Sequence, residues 1–159
     1  MTNQFLKADE KAKTQSVAVS DTALNETNVY LALLLNNIKF PEVVYSQIML
    51  ESGNLTSRLT KKNNNILGMT VASKRETTAL NKESNGYAKY SNWLDCILDY
   101  KLYQDYVFSK THIKNASQYI AYLHRNYANS PSYKAKLTKM VKQRNELRNS
   151  LNFIQYNRS

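Results

Sequence analysis

Residues 41–70 read PEVVYSQIMLESGNLTSRLTKKNNNILGMT, and the order of elements in this stretch decides the fold. Pro41 suits the first position of a helix, where its missing N–H costs nothing, and Phe40 precedes it as an apolar staple. Val44, Ile48 and Glu51 recur at helical spacing, so Glu51 shares the apolar face of that helix. Gly53 supplies the left-handed residue that ends it. A short basic helix over about Leu55 to Lys62, an Asn63-Asn64-Asn65 turn and a strand-like ILGMTV follow. The stretch predicts a helical body that meets a small β lobe just beyond Glu51.

The flanks fit that plan. A first helix is expected from about Asn25 to Asn37, with Val29, Leu33 and Leu34 as its apolar stripe. Between about Ser73 and Ser91 the helical period vanishes, and Asn85-Gly86 marks a hairpin turn. Helicity returns after a Ser91 or Asn92 cap in WLDCILDYKLYQDYVF, where Trp93, Leu94, Ile97, Leu98, Tyr100 and Leu102 predict one broad buried face. Two more helices are expected: Ala116 to Tyr127, and one starting at Ser130-Pro131 that turns Tyr133, Leu137, Met140, Val141 and Leu147 inward. The fold class is α+β, mostly helical with a small β-hairpin lobe. The chain divides into a flexible arm (1–22), one domain (23–148) and a tail (149–159).

Composition narrows the functional classes. With 159 residues, 42% hydrophobic and 21% charged, the chain holds one ordinary globular core. A single cysteine excludes an internal disulfide framework and multi-cysteine zinc modules. No segment approaches the ~18 apolar residues of a membrane span, and no secretion signal opens the chain. Net charge is +10 and uneven: residues 1–53 carry four lysines and six acids, whereas 54–159 carry 18 basic residues and six acids. Such a balance favours an anionic partner, whether nucleic acid, a membrane surface or an envelope polymer, without choosing among them.

Glu51 is the residue with chemistry in it. A carboxylate at the end of a mostly buried face is partly desolvated, which raises its pKa. A Glu that keeps its proton near neutrality is what a glycosidase needs to protonate a leaving oxygen. The competing reading is a solvent-facing Glu beside a helix end. His112 and His124 have no partner at metal-ligand spacing, and Cys96 reads as a buried, inert thiol. The basic terminal helix KAKLTKMVKQRNELR keeps apolar positions between its charges, so a solvated face is favoured over a nucleic-acid contact.

The segment from Glu51 to Thr70 resembles the pattern ESGWGxSxLAxxxNNLFGIK of the bacterial glucosaminidases, glycoside hydrolase family 73, which includes the flagellar peptidoglycan hydrolase domain. Glu51-Ser52-Gly53, Ser57, Leu59, Asn64-Asn65 and Gly68 fall in register without a gap. YAKYSNWLDCILDY resembles a second family segment through Tyr90, Asp99 and Tyr100. NYANSPSYKAKL resembles a third through Tyr127, Ala128, Pro131, Tyr133, Lys136 and Leu137. The chain departs where the family has Trp and Gly after ESG, here Asn54 and Leu55, and where it has Phe, here Leu67.

The resemblance implies a lysozyme-like fold and hydrolysis of β-1,4 bonds in the peptidoglycan glycan strand, after N-acetylglucosamine, with Glu51 as the catalytic acid. It implies that Tyr127 and Tyr90 bind the substrate in the groove, and that Asn64 and Asn65, in the turn into the β lobe, bind it too. For a second carboxylate, Glu76 is preferred over Glu83, which adjoins the Asn85-Gly86 turn; assistance by the sugar's N-acetyl group needs neither. No metal or organic cofactor is expected, nor nucleic acid or membrane insertion. A chain made in the cytoplasm without a signal suggests a bacteriophage endolysin or virion hydrolase, or an effector with its own export machine. It would reach the bacterial cell wall by holin, virion or that machine, with other virion proteins as further partners. The alternatives are a muramidase or lytic transglycosylase on the same fold, or a non-catalytic virion protein that retains it.

Overall fold

The computed structural model describes residues 23–156, Asn129 excepted. Helix α1 spans Glu26–Leu35 and is capped by Asn25, whose side chain accepts from Asn28 N–H at 2.9 Å. Val29, Ala32 and Leu33 face the core, but Leu34 is 47% exposed, as are much of Leu31 and Leu35. This helix is apolar all round, so its sequence does not choose a face; packing against its neighbours does.

Helix α2 spans Pro41–Glu51. Phe40 precedes it in a left-handed conformation (φ 54°), unusual for a large side chain, and its ring stacks on Tyr119 at 5.4 Å. The far end closes as expected: Gly53 takes φ 55°, and Asn54 N–H reaches back to Met49 C=O at 2.9 Å. Asn54 (φ 55°) and Leu55 (φ 66°) continue left-handed, so the bend after Glu51 is unusually tight. Ser57 then caps the short helix α3, Arg58–Asn63, which ends on left-handed Asn64.

The strand expected over ILGMTV is not a ladder. Thr70 makes one isolated bridge to Tyr87, and the sheet proper is the antiparallel pair β1 (Asn81–Lys82) and β2 (Ala88–Lys89). Asn85-Gly86 does turn the hairpin, with Gly86 at φ 88° and its N–H on Glu83 C=O. The 66–71 segment is held by two backbone hydrogen bonds to the hairpin, Ala88 N–H to Met69 C=O at 2.9 Å and Val71 N–H to Gly86 C=O at 3.2 Å, and by the Asn65 side chain.

Helix α4 spans Trp93–Phe108 behind the expected Asn92 cap, which accepts from Leu94 and Asp95 N–H. Its buried face includes Trp93, Leu94, Ile97 and Tyr100, but Leu98 is 40% exposed while Asp99 and Gln104 are fully buried. Apolar spacing alone misplaced these positions, because Asp99 and Gln104 find hydrogen-bond partners far away in sequence. Helix α5 spans Ala116–Asn126 and helix α6 spans Pro131–Tyr156, which lies against both α2 and α5. Tyr133, Leu137 and Val141 point inward. Leu147 lies outside the described side chains, and the expected arm, residues 1–22, lies outside the described residues. Helix α6 runs unbroken past residue 148. No helix among the described residues is long and apolar enough to cross a membrane.

Candidate active site

Glu51 is the last residue of α2, half-buried at the junction of helical body and β lobe. Burial pushes its carboxyl above the ordinary range, opposed by the hydroxyl of Tyr133 from α6. Gly68 passes directly over it: a methyl group on Gly68 would sit 3.5 Å from Glu51 Oε2. Gly68 also has φ 64°, so both its conformation and its proximity to the carboxyl suit a residue without a side chain.

The loop carrying Gly68 is pinned from below. Asn65, 1% exposed, donates from Nδ2 to Met69 C=O (2.9 Å) and Ala88 C=O (3.0 Å) and accepts Met69 N–H at 3.0 Å. Asn64 donates to the carbonyls of Tyr90 and Ser91 at 3.0 and 3.2 Å. Tyr127, at the end of α5, donates its hydroxyl to Leu67 C=O, fixing the same loop from the helical side. These hydrogen bonds position the cleft wall, and they occupy groups expected from sequence to meet the substrate.

Tyr90 is also turned inward. It is 4% exposed and donates to Asp99 Oδ2 at 2.6 Å, while Arg75 pairs with Asp99 Oδ1 at 2.7 Å. Asp99 is thus a structural acid that ties α4 to the β lobe. Cys96 is fully buried, and burial pushes its thiol up to about 12, which makes it inert.

Beside Gly68 opens a groove of about 400 Å3, lined by Gly68, Thr70, Arg75, Tyr103, Tyr122 and Tyr127. Aromatic rings and an Arg suit stacking on sugar rings. Glu51 does not line this groove itself; Gly68 stands between them.

The second carboxylate is not resolved into a pair with Glu51. Glu76 is exposed on the β-lobe segment. Glu83 is more enclosed, 21% exposed at its side chain, and lies 4.0 Å from Arg58 at the start of α3. Burial and Tyr133 account for the displacement of the Glu51 carboxyl, with no acidic neighbour contributing. Spacing did not single out Tyr133 and Gln47 as site residues, although both sit at helical positions facing Glu51. Among the described residues no cluster of three His, Cys, Asp or Glu could hold a metal ion.

A family profile described as glucosaminidase, mannosyl-glycoprotein endo-beta-N-acetylglucosaminidase, matches residues 28–146. The chain belongs to the glucosaminidase family. It is therefore a glycoside hydrolase by descent, and the match takes in every element from α1 to most of α6. Among solved structures it is similar to the catalytic domain of the autolysin Auto from Listeria monocytogenes, with 16% identity over 84% of this chain and 94% of that one, at a TM-score of 0.50. That likeness concerns the fold: lysozyme-like, as the sequence resemblance implied. No curated protein sequence matches the chain.

Proposed function

We propose that this glucosaminidase cleaves the β-1,4 bonds of the peptidoglycan glycan strand as an endo-β-N-acetylglucosaminidase, with Glu51 as general acid. The observation that carries this reading is the Glu51 environment: a half-buried carboxyl with a raised pKa, packed against Gly68, which lines the adjoining aromatic groove. In the reaction, the bond from the anomeric carbon of N-acetylglucosamine to the bridging oxygen breaks. That oxygen takes the Glu51 proton, and a water oxygen completes the anomeric carbon. The water's proton returns to Glu51 when the cycle closes. The likeness to an autolysin catalytic domain supports a cell-wall substrate.

Glu76 remains the proposed second carboxylate, Glu83 the alternative, and the substrate's N-acetyl oxygen the route that needs neither. The test is mass spectrometry of purified peptidoglycan after digestion. Wild type should yield reducing N-acetylglucosamine ends, and Glu51→Gln should lose about 10²–10⁴-fold in rate. Reducing or anhydro N-acetylmuramic ends would make the enzyme a muramidase or transglycosylase on the same fold. No products from any wall type would favour a non-catalytic structural protein. Glu76→Gln and Glu83→Gln digests run alongside separate the three routes: loss in one names the second acid, and activity in both leaves Glu51 as the single protein carboxylate. Delivery to the wall by holin, virion or an export machine belongs to the same proposal.

A further inference from the structure

Behind Glu51 runs a chain of buried polar side chains that the acid itself does not require for protonation. Gln104, Tyr119, Tyr100 and Gln47 are each fully buried, and Tyr133 is 8% exposed. They come from four helices, α4, α5, α2 and α6; the first four are hydrogen-bonded in series, and Tyr133 lies next to the last of them, Gln47. Burying five polar side chains in a domain of this size is costly unless each is satisfied, so the direction of each bond matters.

That direction follows by elimination. Lys39 N–H donates to Gln104 Oε1 at 2.8 Å, so the Gln104 amide is fixed with its oxygen toward Lys39. Gln104 Nε2 donates to Lys39 C=O at 2.9 Å and to Tyr119 Oη at 3.1 Å. Tyr100 spends its only hydroxyl proton on Gln47 Oε1 at 2.7 Å, so in the 2.6 Å contact between the two phenols Tyr119 is the donor. Gln47 Oε1 is thereby occupied, and its Nε2, buried without a partner of good geometry, is left facing Tyr133. Tyr133 Oη is likewise buried without a well-formed bond, close to both Gln47 and Glu51. From Gln104 through Tyr119 and Tyr100 to Gln47 each link donates toward the Glu51 side, the second Gln104 amide proton goes to Lys39 C=O, and the series is anchored on a backbone group that cannot flip.

We infer that this one-way chain is a positioning device for the general acid: it turns the Gln47 amide and the Tyr133 hydroxyl into donors that close on the Glu51 carboxylate when Glu51 gives up its proton. The inference rests on the reading of Glu51 as the acid. Gln47 lies one turn before Glu51 on the same face of α2, where it can act with Tyr133. The other titratable group facing Glu51, Tyr127, has its proton committed to Leu67 C=O and does not compete. Gly68 closes the side of Oε2, so the orientation of the carboxyl is defined from both sides. Two buried donors beside the acid stabilise its ionised form, the form left once the proton has gone to the leaving oxygen.

Tyr100→Phe tests this at a distance, since Tyr100 is sealed from solvent and touches no substrate. Without its donor the Gln47 amide is free to turn over, accept from Tyr133 and draw that proton away from Glu51. The expected result is a fall in kcat of about tenfold, the worth of one hydrogen bond to a charged group, with KM unchanged. The basic limb of the pH profile should move to higher pH, and Tyr133→Phe should do the same. A carbon-13 titration of the Glu51 carboxyl, which needs no turnover, should show its midpoint rising in both variants. Tyr119→Phe breaks the chain one link further out and replaces Tyr100→Phe if that variant does not fold. Folded variants with an unmoved limb and an unmoved midpoint overturn the inference, even if they melt earlier. Glu51→Gln separates the two failures: if it stays active, the acid assignment falls; if it is dead while the others are unshifted, only the chain's role falls.

Discussion

Glu51 and Gly68 constrain each other. A methyl on Gly68 would meet Glu51 Oε2 at ordinary contact distance, 3.5 Å, so Gly68→Ala does not clash outright. It does force a β-carbon into a left-handed conformation, at roughly 1–2 kcal/mol, and it covers the oxygen that, in the proposed role of Glu51, reaches the leaving group. Calorimetry and a digestion assay on Gly68→Ala should therefore show a lowered melting temperature together with an activity loss of about tenfold or more. Glu51 carries its own pH signature. Its folded pKa is raised, so below the ordinary value of about 4.3 it is protonated in both states and costs nothing. As pH rises, the unfolded chain ionises first, and stability falls until the folded carboxyl ionises too. Urea unfolding should thus find Glu51→Gln more stable than wild type at pH 7 and equal to it at pH 3. With Glu51 as the proposed general acid, the same sign governs activity: the acid works while protonated, so the basic limb is expected above the ordinary Glu range.

At the scale of elements, the asparagine turn shows how two adjacent identical residues divide their work. Asn65 is sealed and makes three hydrogen bonds that hold the Gly68 loop to β2; Asn64 is nearer solvent and caps α3 in the left-handed region. Asn65→Ala strands buried backbone groups and should cost about 2–4 kcal/mol, whereas Asn64→Ala should cost about 1 kcal/mol. Chemical denaturation of the two variants side by side checks the difference. The turn was legible in the sequence because Asn tolerates φ above zero, and so was the end of α2, because Gly53 is a local signal. The clasp was not legible, since its partners Met69 and Ala88 are fixed only by tertiary register. The same reason hides Asp99 and Gln104 in α4 and brings Leu98 to the surface: helical spacing assigns Leu inward and Asp outward unless a distant partner, here Arg75 or Lys39, reverses the balance. Leu55 explains one departure from the family pattern. At φ 66° it occupies the place of a family glycine and is held there by partial burial against the core.

For the whole molecule, charge is the property that couples fold to substrate. Residues 54–159 hold 18 of the 22 basic side chains, and the lysines of α6 such as Lys136 and Lys139 are exposed. A field of that sign accelerates encounter with an anionic wall and is screened beyond about 10 Å at 0.1 M salt. It contributes little once substrate is bound, because these side chains stand on the outer face of α6 while Tyr133 and Leu137 face inward. Two substrates separate encounter from chemistry. On intact peptidoglycan kcat/KM should fall severalfold between low and physiological salt, and Lys136→Glu with Lys139→Glu should reduce it about threefold at low salt. On a neutral N-acetylglucosamine oligomer neither the salt nor the charge reversal should matter. If the oligomer rate fell equally, the lysines would be acting through α6 packing on α2 and hence on Glu51, and the charge would belong to the site rather than to its approach.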